Sequence, residues 1–179
     1  LVPTPGQEFQ RIYSFSPALS ANGAQVAYEF WWIGSDENPA MEFSGLTSCD
    51  TQGECRFVRL KSGVAVGGPD SNFPSVSADG RCIAFESTAD DLAQGDTNGL
   101  SDVFVLDRSN SSITRVSVGP GGVQANGDSF AASISADGRY VAFCSFADNL
   151  VAGDANDAAD IFVHDRRTGE TARVSVGPQ

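Results

Sequence analysis

Two stretches of this chain are copies of each other, and this repeat constrains the fold more than any other feature. Ser133–Pro178 matches Ser75–Pro120 at an offset of 58 residues without a gap, and 26 of the 46 positions are identical. Both copies begin with Ser-x-Ser-Ala-Asp-Gly-Arg and end with Arg-Val-Ser-Val-Gly-Pro. A repeat of this length indicates that one supersecondary unit is used several times along the chain.

A weaker third copy precedes these two. Ser16–Gly23 matches Phe73–Gly80, and Gln25–Tyr28 then matches Cys82–Phe85. The sequence therefore predicts three repeats rather than two. We expect an extended N-terminal lead-in over residues 1–11 and a repeat region over residues 12–179, with repeats at about 12–72, 73–130 and 131–179.

Each copy is predicted to contain four short strands. In the second copy we place them at Ser75–Ser77, Arg81–Ser87, Asp102–Leu106 and Ile113–Val118. Apolar residues alternate with small or polar ones in these segments, and this period of two is typical of strands. The Asn-Gly or Asp-Gly pair between the first two segments predicts a hairpin, because both residues accept a positive φ. No segment offers a convincing helix of three turns.

Four antiparallel strands in a unit of about 58 residues, repeated, is the pattern of β-propeller blades. We therefore predict an all-β chain of three four-stranded blades, completed by other chains or by further blades. A two-sheet sandwich is the alternative, but a sandwich gives no reason for a strict repeat.

The middle of the first copy has diverged from the others. Phe30–Ile33 is an aromatic run that we expect in the core, with a sugar-stacking or partner-binding patch as the alternative. We expect the third strand at Met41–Leu46 and the fourth at Cys55–Leu60. A second assignment puts the third strand at Arg56–Lys61 and the fourth at Val64–Val66.

Four cysteines bear on the compartment. Cys49 and Cys55 enclose a turn-like loop, and a disulfide across a hairpin suits that spacing, with two free thiols as the alternative. The sequence leaves the state of Cys82 and Cys144 open. A zinc site is not expected, because the chain has one histidine and no Cys-x-x-Cys. The predicted disulfide favours an oxidising compartment, so we expect a secreted, extracellular or periplasmic protein.

Charge excludes two classes of partner. The chain has 11 Lys and Arg against 23 Asp and Glu, a net charge of −12. Binding to nucleic acid or to anionic lipid needs dense positive charge, so neither is expected. No apolar run reaches the length of a membrane span. The first six residues lack the basic start and apolar stretch of a signal peptide, so we expect either a cytosolic protein or a chain that begins after processing.

An acidic loop recurs after the second strand of each copy. Its Asp-x-Asn-x-x-x-Asp spacing places two carboxylates and an amide oxygen in one short segment, and Ca²⁺ prefers such oxygen ligands. We therefore predict calcium binding, with Asx turn capping as the alternative. The candidate metal ligands are Asp96, Asn98 and Asp102, their copies Asp154, Asn156 and Asp160, and the related set Asp36, Asn38 and Glu42.

Other recurring charged residues are expected to fix the blades rather than to bind a substrate. We expect them to form repeated ion pairs or hydrogen bonds; they are Asp107, Arg108, Asp165, Arg166, Arg115 and Arg173. Asp79 and Asp137 are expected to form turns. His164 replaces Leu106 of the previous copy, and we expect it on the surface of a strand. The usual hydrolase, metalloprotease and phosphate-binding motifs are absent, so we expect no enzymatic activity.

The Ser-x-Asp-Gly-Arg turn, the Val-Ala-Phe run and the Asp-x-Phe-Val-x-Asp strand resemble the TolB-like β-propeller repeat. The resemblance covers residues 12–179 and is closest in the second and third copies. Ala78 and Ala136 stand where the family usually has proline, and Asn22 replaces aspartate in the first copy. Members of this family serve as periplasmic adaptors, as lids on peptidases or as secreted repeat proteins, so the resemblance implies a fold and leaves the function open.

The number of repeats suggests how such a chain acts. Closed propellers typically have about four to eight blades, whereas three are predicted here. Two chains completing a six-bladed ring, a polymer, or a larger protein with more blades are the possible outcomes. We therefore expect a non-enzymatic extracellular or cell-envelope module that self-assembles, as a homo-oligomer or filament, or binds other envelope proteins. Calcium would stabilise its loops. The alternative is a scaffold or lid within a larger enzyme such as a hydrolase.

Overall fold

The computed structural model describes residues 11–33, 42–57 and 71–175 of the chain. They form three four-stranded antiparallel sheets in which each strand pairs with the next strand along the chain. We call these sheets blades 1, 2 and 3. Blade 1 contains β1 Arg11–Leu19, β2 Gln25–Ile33, β3 Glu42–Asp50 and β4 Cys55–Phe57. Blade 2 contains β5 Ser71–Val76, β6 Cys82–Ser87, β7 Asp102–Asp107 and β8 Ser112–Arg115. Blade 3 contains β9 Ser129–Ile134, β10 Tyr140–Ser145, β11 Asp160–Asp165 and β12 Glu170–Arg173.

The hairpin between the first two strands of each blade forms as the Asn-Gly pair of blade 1 and the Asp-Gly pairs of blades 2 and 3 predict. In blade 2, an Asp79 carboxylate oxygen accepts hydrogen bonds from the Ser77 hydroxyl at 2.7 Å and from the Arg81 N–H at 2.9 Å. Gly80 follows with a φ of +73°, a conformation that costs glycine little. Asp137 makes the same two bonds in blade 3. The prediction that these aspartates form turns is confirmed.

Apolar residues on both faces of blade 2 form the core of the array. Phe85 and Phe104 lie opposite each other in the β6–β7 register, and their rings stack with centroids 5.8 Å apart. Both pack, together with Ala27 of blade 1, in one buried cluster. The other face of blade 2 packs against Phe143 and Phe162 of blade 3 in a second cluster. Blade 2 is therefore covered on both sides, which explains why β6 and β7 are almost continuously buried.

The first strand of each blade, which we call its inner strand, lies at one edge of the sheet. In blades 2 and 3 this strand contacts the blade before it. The strand β5 lies against β1, β2 and β3, and β9 lies against β5, β6 and β7. Each of these inner strands contains a bulge, which is seen as a register shift between Asn72 and Ser75 in β5. Residues with positive φ occur at the bulges of all three blades, at Ser16, Phe73 and Ala131.

The predicted fold class is confirmed. In the described part of the chain the only helical segment is a single 3-10 turn, Pro120–Gly122. The pairing of β3 with β4 supports the first assignment of the diverged copy, although β3 continues to Asp50. Residues Val64–Val66, which the second assignment used, lie outside the described residues. The aromatic run Phe30–Ile33 belongs to β2, and its side chains also lie outside the description.

Among residues 11–33, 42–57 and 71–175, no helix has the length and apolar character that a membrane crossing requires. The predicted boundaries of the lead-in and of the three repeats stay predictions.

Candidate functional site

An arginine lies between the two carboxylates of the acidic loop in blade 2. The Nη1 atom of Arg115 is 3.2 Å from Asp96 Oδ1 and 3.4 Å from Asp102 Oδ2. All three side chains are buried, with exposed fractions of 8%, 3% and 0% respectively. The pairing of β7 with β8 brings Arg115 there, since it lies opposite Phe104 near the start of β7. A protein cation thus stands between two predicted calcium ligands.

The same arrangement recurs in blade 3. The Nη1 atom of Arg173 is 2.6 Å from Asp154 Oδ1 and 3.2 Å from Asp160 Oδ2. The Arg173 side chain is more exposed, at 23%, than its counterpart in blade 2. The prediction that Arg115 and Arg173 form repeated ion pairs is confirmed.

The asparagines of the two loops cap turns. The Oδ1 atom of Asn98 accepts a hydrogen bond from Leu100 N–H at 2.9 Å, and its Nδ2 donates to the Ala125 carbonyl at 2.9 Å. The Oδ1 atom of Asn156 accepts from Ala158 N–H at 3.2 Å. Both amide oxygens are therefore used locally, as the Asx-turn alternative requires.

The two loops differ in their electrostatics. Burial raises the pKa of Asp102, although a hydrogen bond from the Ser117 hydroxyl and the charge of Arg115 both lower it. The pKa of Asp160 is lowered, chiefly by hydrogen bonds from Ser175 and Asn156. Asp102 of blade 2 is thus less hydrated than Asp160 of blade 3. The charge of the neighbouring guanidinium therefore has a larger effect on the Asp102 carboxylate.

Calcium binding at these loops stays a prediction. The carboxylates that the sequence offered as ligands are already paired with a guanidinium, and the asparagine oxygens accept backbone N–H groups. Among the residues that the structure describes, no three His, Cys, Asp or Glu side chains form a group suited to a metal ion. In the first copy, Asp36 and Asn38 lie outside the described residues. Glu42 begins β3, but its side chain is outside the description.

Glutamates in the second strands anchor each following blade. The Oε1 atom of Glu29 accepts the Phe73 N–H at 2.7 Å, and Oε2 of Glu86 accepts the Ala131 N–H at 2.9 Å. Phe73 and Ala131 are the positive-φ residues of the bulges in β5 and β9. These contacts were not predicted from the sequence, although a glutamate at the same position in two repeats was the available signal.

Arginines at the ends of the third strands connect the blades in the opposite direction. The Nη1 atom of Arg108 donates to the Gly80 carbonyl and to Gln25 Oε1 of blade 1, both at 2.9 Å. Arg166 repeats the contact one blade later, with Nη1 3.3 Å from Cys82 Sγ. The prediction that these arginines fix the blades is confirmed.

The aspartates that precede these arginines pair within their own blades. Asp107 Oδ2 lies 3.2 Å from Arg81 Nη2, and Asp165 makes a two-pronged pair with Arg139 at 3.0 and 2.6 Å. The Arg139 side chain lowers the pKa of Asp165 to about 2.

His164 is buried, so the prediction of a surface position is wrong. Its exposed fraction is 5%, and its Nδ1 lies 3.0 Å from the Thr171 hydroxyl. That hydroxyl donates to the Val118 carbonyl in the segment between blades 2 and 3. His164 lies on the same face of β11 as Phe162, which packs against blade 2, and this face is covered, whereas Ile161 on the other face is exposed. Burial lowers the pKa of His164.

The cysteines fall into two groups. Cys49 and Cys55 lie directly opposite each other in the β3–β4 register, which suits the predicted disulfide; the side chain of Cys55 lies outside the description, so the bond stays a prediction. Cys82 and Cys144 are free thiols. Cys144 is half-buried, and burial raises the pKa of its thiol.

The outer face of blade 3 exposes residues whose counterparts in blade 2 are covered. Ile161 is 42% exposed where Val103 is 0% exposed, and Val174 is 50% exposed where Val116 is 0% exposed. Tyr140 is 39% exposed at the position of the buried Cys82. The outer face of blade 3 is formed by Tyr140, Ala142, Cys144, Ile161, Val163 and Val174.

Comparison with solved structures shows what this arrangement is. The chain is similar to a putative TolB from Agrobacterium tumefaciens, with 18% identity, a TM-score of 0.55, and coverage of 92% of this chain and 50% of that one. The three sheets are β-propeller blades. The chain is also similar to an acylaminoacyl peptidase from Pyrococcus horikoshii, with 16% identity, a TM-score of 0.55, and coverage of 93% of this chain and 26% of that one. A dipeptidyl peptidase 4 from Porphyromonas gingivalis matches with 14% identity, a TM-score of 0.53, and coverage of 99% and 27%.

These similarities concern the fold alone, because the identities are low. No protein-family model matches the chain, and no curated protein matches it significantly in sequence. The chain spans half of the length of the TolB structure and about a quarter of each peptidase. The TolB-like fold is thus supported, and the specific repeat type stays a prediction.

Proposed function

We propose that this chain is a non-enzymatic propeller module that acts by self-assembly or protein binding through its open blade faces. The observation that carries the proposal is the outer face of blade 3. Its apolar residues occupy the positions that blade 2 uses to hold the next blade, yet they are uncovered. Exposed contiguous apolar surface of this kind marks interaction sites.

A secreted or cell-envelope location fits this proposal. The predicted disulfide favours an oxidising compartment, and the net charge of −12 disfavours binding to nucleic acid or anionic membranes. Calcium would then bind only as an additional stabilising ion at the acidic loops.

The test is the mass of the particle in solution across a range of concentrations, measured by light scattering and sedimentation. We expect association in the native chain and its loss in Ile161→Lys, because the charge would be buried at the contact. Val123→Lys is the matched control, since Val123 is 55% exposed but lies in the segment between blades. A native chain that stays monomeric throughout would contradict self-assembly.

The second candidate is a scaffold or lid within a larger enzyme. The similarity to parts of two peptidase structures favours it, because the same arc of blades forms about a quarter of those chains. A peptidase assay on the intact gene product decides between the two. Hydrolysis that is lost when these blades are deleted would support the enzyme, and a product containing blades alone would exclude it.

A further inference from the structure

The repeat relates the two open ends of the array to each other. At the contact between blades 2 and 3, Ile134 of β9 is 9% exposed and packs in the cluster that contains Val103 and Val105. The residue at the same position of blade 1 is Leu19 of β1, which is 63% exposed. One chain thus carries an uncovered receiving face on blade 3 and, on the first strand of blade 1, an uncovered Leu19.

The strand β1 keeps the backbone shape of a docking strand. Its register shifts between Phe15 and Ala18, at the same position as the bulges of β5 and β9. The φ of Ser16 is +49°, against +50° at Phe73 and +56° at Ala131. Positive φ is costly for residues other than glycine, and such strain persists where a contact uses it. In blades 2 and 3 the contact is the hydrogen bond to the glutamate of the preceding blade.

We propose that the outer face of blade 3 receives β1 of a second copy of this chain, with Leu19 in the place that Ile134 holds between blades 2 and 3. This inference rests on the proposed function and names its partner. The contact is head-to-tail, so it joins different surfaces of the two copies. Two copies would close a six-bladed ring if the rotation permits, and an open rotation would give a filament.

The contact between copies lacks the two polar connections of the internal contacts. Cys144 stands where Glu86 accepts the N–H of the next bulge, and Thr51 stands where Arg108 and Arg166 reach the preceding blade. Association between copies is therefore weaker than association between blades of one copy, and it is reversible. The net charge of −12 on each copy opposes it, so added salt strengthens it.

The first experiment restores one missing connection. Cys144→Glu places a carboxylate opposite the Ser16 N–H of the second copy, as Glu86 lies opposite Ala131. A hydrogen bond to a charged group predicts a dissociation constant lower by about tenfold. Cys144→Ser is the matched control, because serine is too short to reach. A dissociation constant for Cys144→Glu equal to or above that of Cys144→Ser overturns the inference.

The second experiment tests the head-to-tail arrangement by complementation. Leu19→Asp damages only the inner strand of blade 1, and Ile161→Lys damages only the face of blade 3. Each variant alone is expected to be monomeric, with unchanged circular dichroism. An equimolar mixture is expected to form a heterodimer, because each partner supplies the surface that the other has lost.

The outcomes separate this inference from the proposed function. If Leu19→Asp still associates as the native chain does while Ile161→Lys does not, the blade 3 face binds something other than β1, and the inference fails while the proposed function stands. If the mixture of variants stays monomeric, the head-to-tail contact is refuted. A native chain that never associates refutes both.

Discussion

Replacing Arg115 by methionine tests whether the acidic loop depends on its internal cation. Methionine keeps most of the volume of the side chain and removes the charge from between Asp96 and Asp102. Both carboxylates are almost fully buried, with side-chain exposed fractions of 3% and 0%. Breaking a buried ion pair from one side costs about 3–5 kcal/mol, because the remaining charge is left uncompensated. We expect a loss near the lower end at about pH 7, since Ser117 still donates to Asp102.

The pH dependence of this loss follows from the pKa of Asp102. Burial already raises that pKa, and the charge of Arg115 lowers it. The variant loses the lowering contribution, so the pKa of Asp102 rises further. A carboxyl whose pKa is higher in the folded than in the unfolded state adds stability at low pH, and that stability disappears as the pH rises through the folded-state pKa. Arg115→Met therefore destabilises more at about pH 7 than at about pH 4, which is near the ordinary pKa of aspartate, by up to about 1.4 kcal/mol for each pH unit of the additional rise.

The assay is chemical denaturation of the native chain and of three variants at both pH values. Arg115→Met/Asp102→Asn removes the stranded charge and should recover part of the loss at pH 7. Arg173→Met in blade 3 should lose less than Arg115→Met, because water reaches Arg173 more easily and the pKa of Asp160 is lowered rather than raised. A loss for Arg115→Met below about 1 kcal/mol, or one that does not change with pH, would refute the reasoning.

Three further predictions concern the turns, the cysteines and the loops. In chemical denaturation, Gly80→Ala should destabilise the chain by about 1–2 kcal/mol more than Gly23→Ala. Both glycines have positive φ, but only at Gly80 would the new Cβ lie 2.5 Å from Gln25 Cγ of blade 1. Equal losses would mean that the close packing of the Gly80 turn contributes nothing to stability. Peptide mapping without reductant should recover Cys49 joined to Cys55, and reduction should lower stability by about 2 kcal/mol for so short a loop; separate thiols would exclude the disulfide. Calcium should raise the melting temperature of the chelated chain if the acidic loops bind it, whereas an unchanged melting temperature would leave the arginines as their only cations.

The repeat predicted the fold because each copy indicates the positions of both the strands and the turns. The Asp-Gly pair specified a hairpin through local chemistry alone, and alternation specified strands, but it did not show that β6 and β7 are buried on both faces. The acidic loop was harder, because Arg115 is 13 residues from Asp102 in sequence and reaches it only through strand pairing. Oxygen-rich spacing favours a metal ion or a guanidinium equally well, and sequence spacing alone does not distinguish them. His164 was misjudged as a surface residue even though its counterpart in the previous repeat is the buried Leu106.

The glutamate contacts between blades were not predictable from local sequence for a different reason. Glu86 and Ala131 are 45 residues apart, and their hydrogen bond depends on a bulge that turns the Ala131 N–H toward the preceding blade. The pattern that predicts the strands carries no information on the direction of a single N–H group. A recurring glutamate on a covered strand was nevertheless visible in the sequence at Glu29 and Glu86.

The outer face of blade 3 supports the proposed interaction role. A capping unit of a repeat protein usually carries a polar outer face, which keeps it soluble. Blade 3 lacks such a face, since Tyr140 and Ile161 are exposed on it. It also departs from the internal pattern, because Cys144 takes the place of the anchoring glutamate. A face that keeps the apolar residues of an internal contact but lacks its glutamate can still bind a partner through apolar contact, with lower affinity. Such a face suits association that is reversible and depends on concentration, as the proposed self-assembly requires.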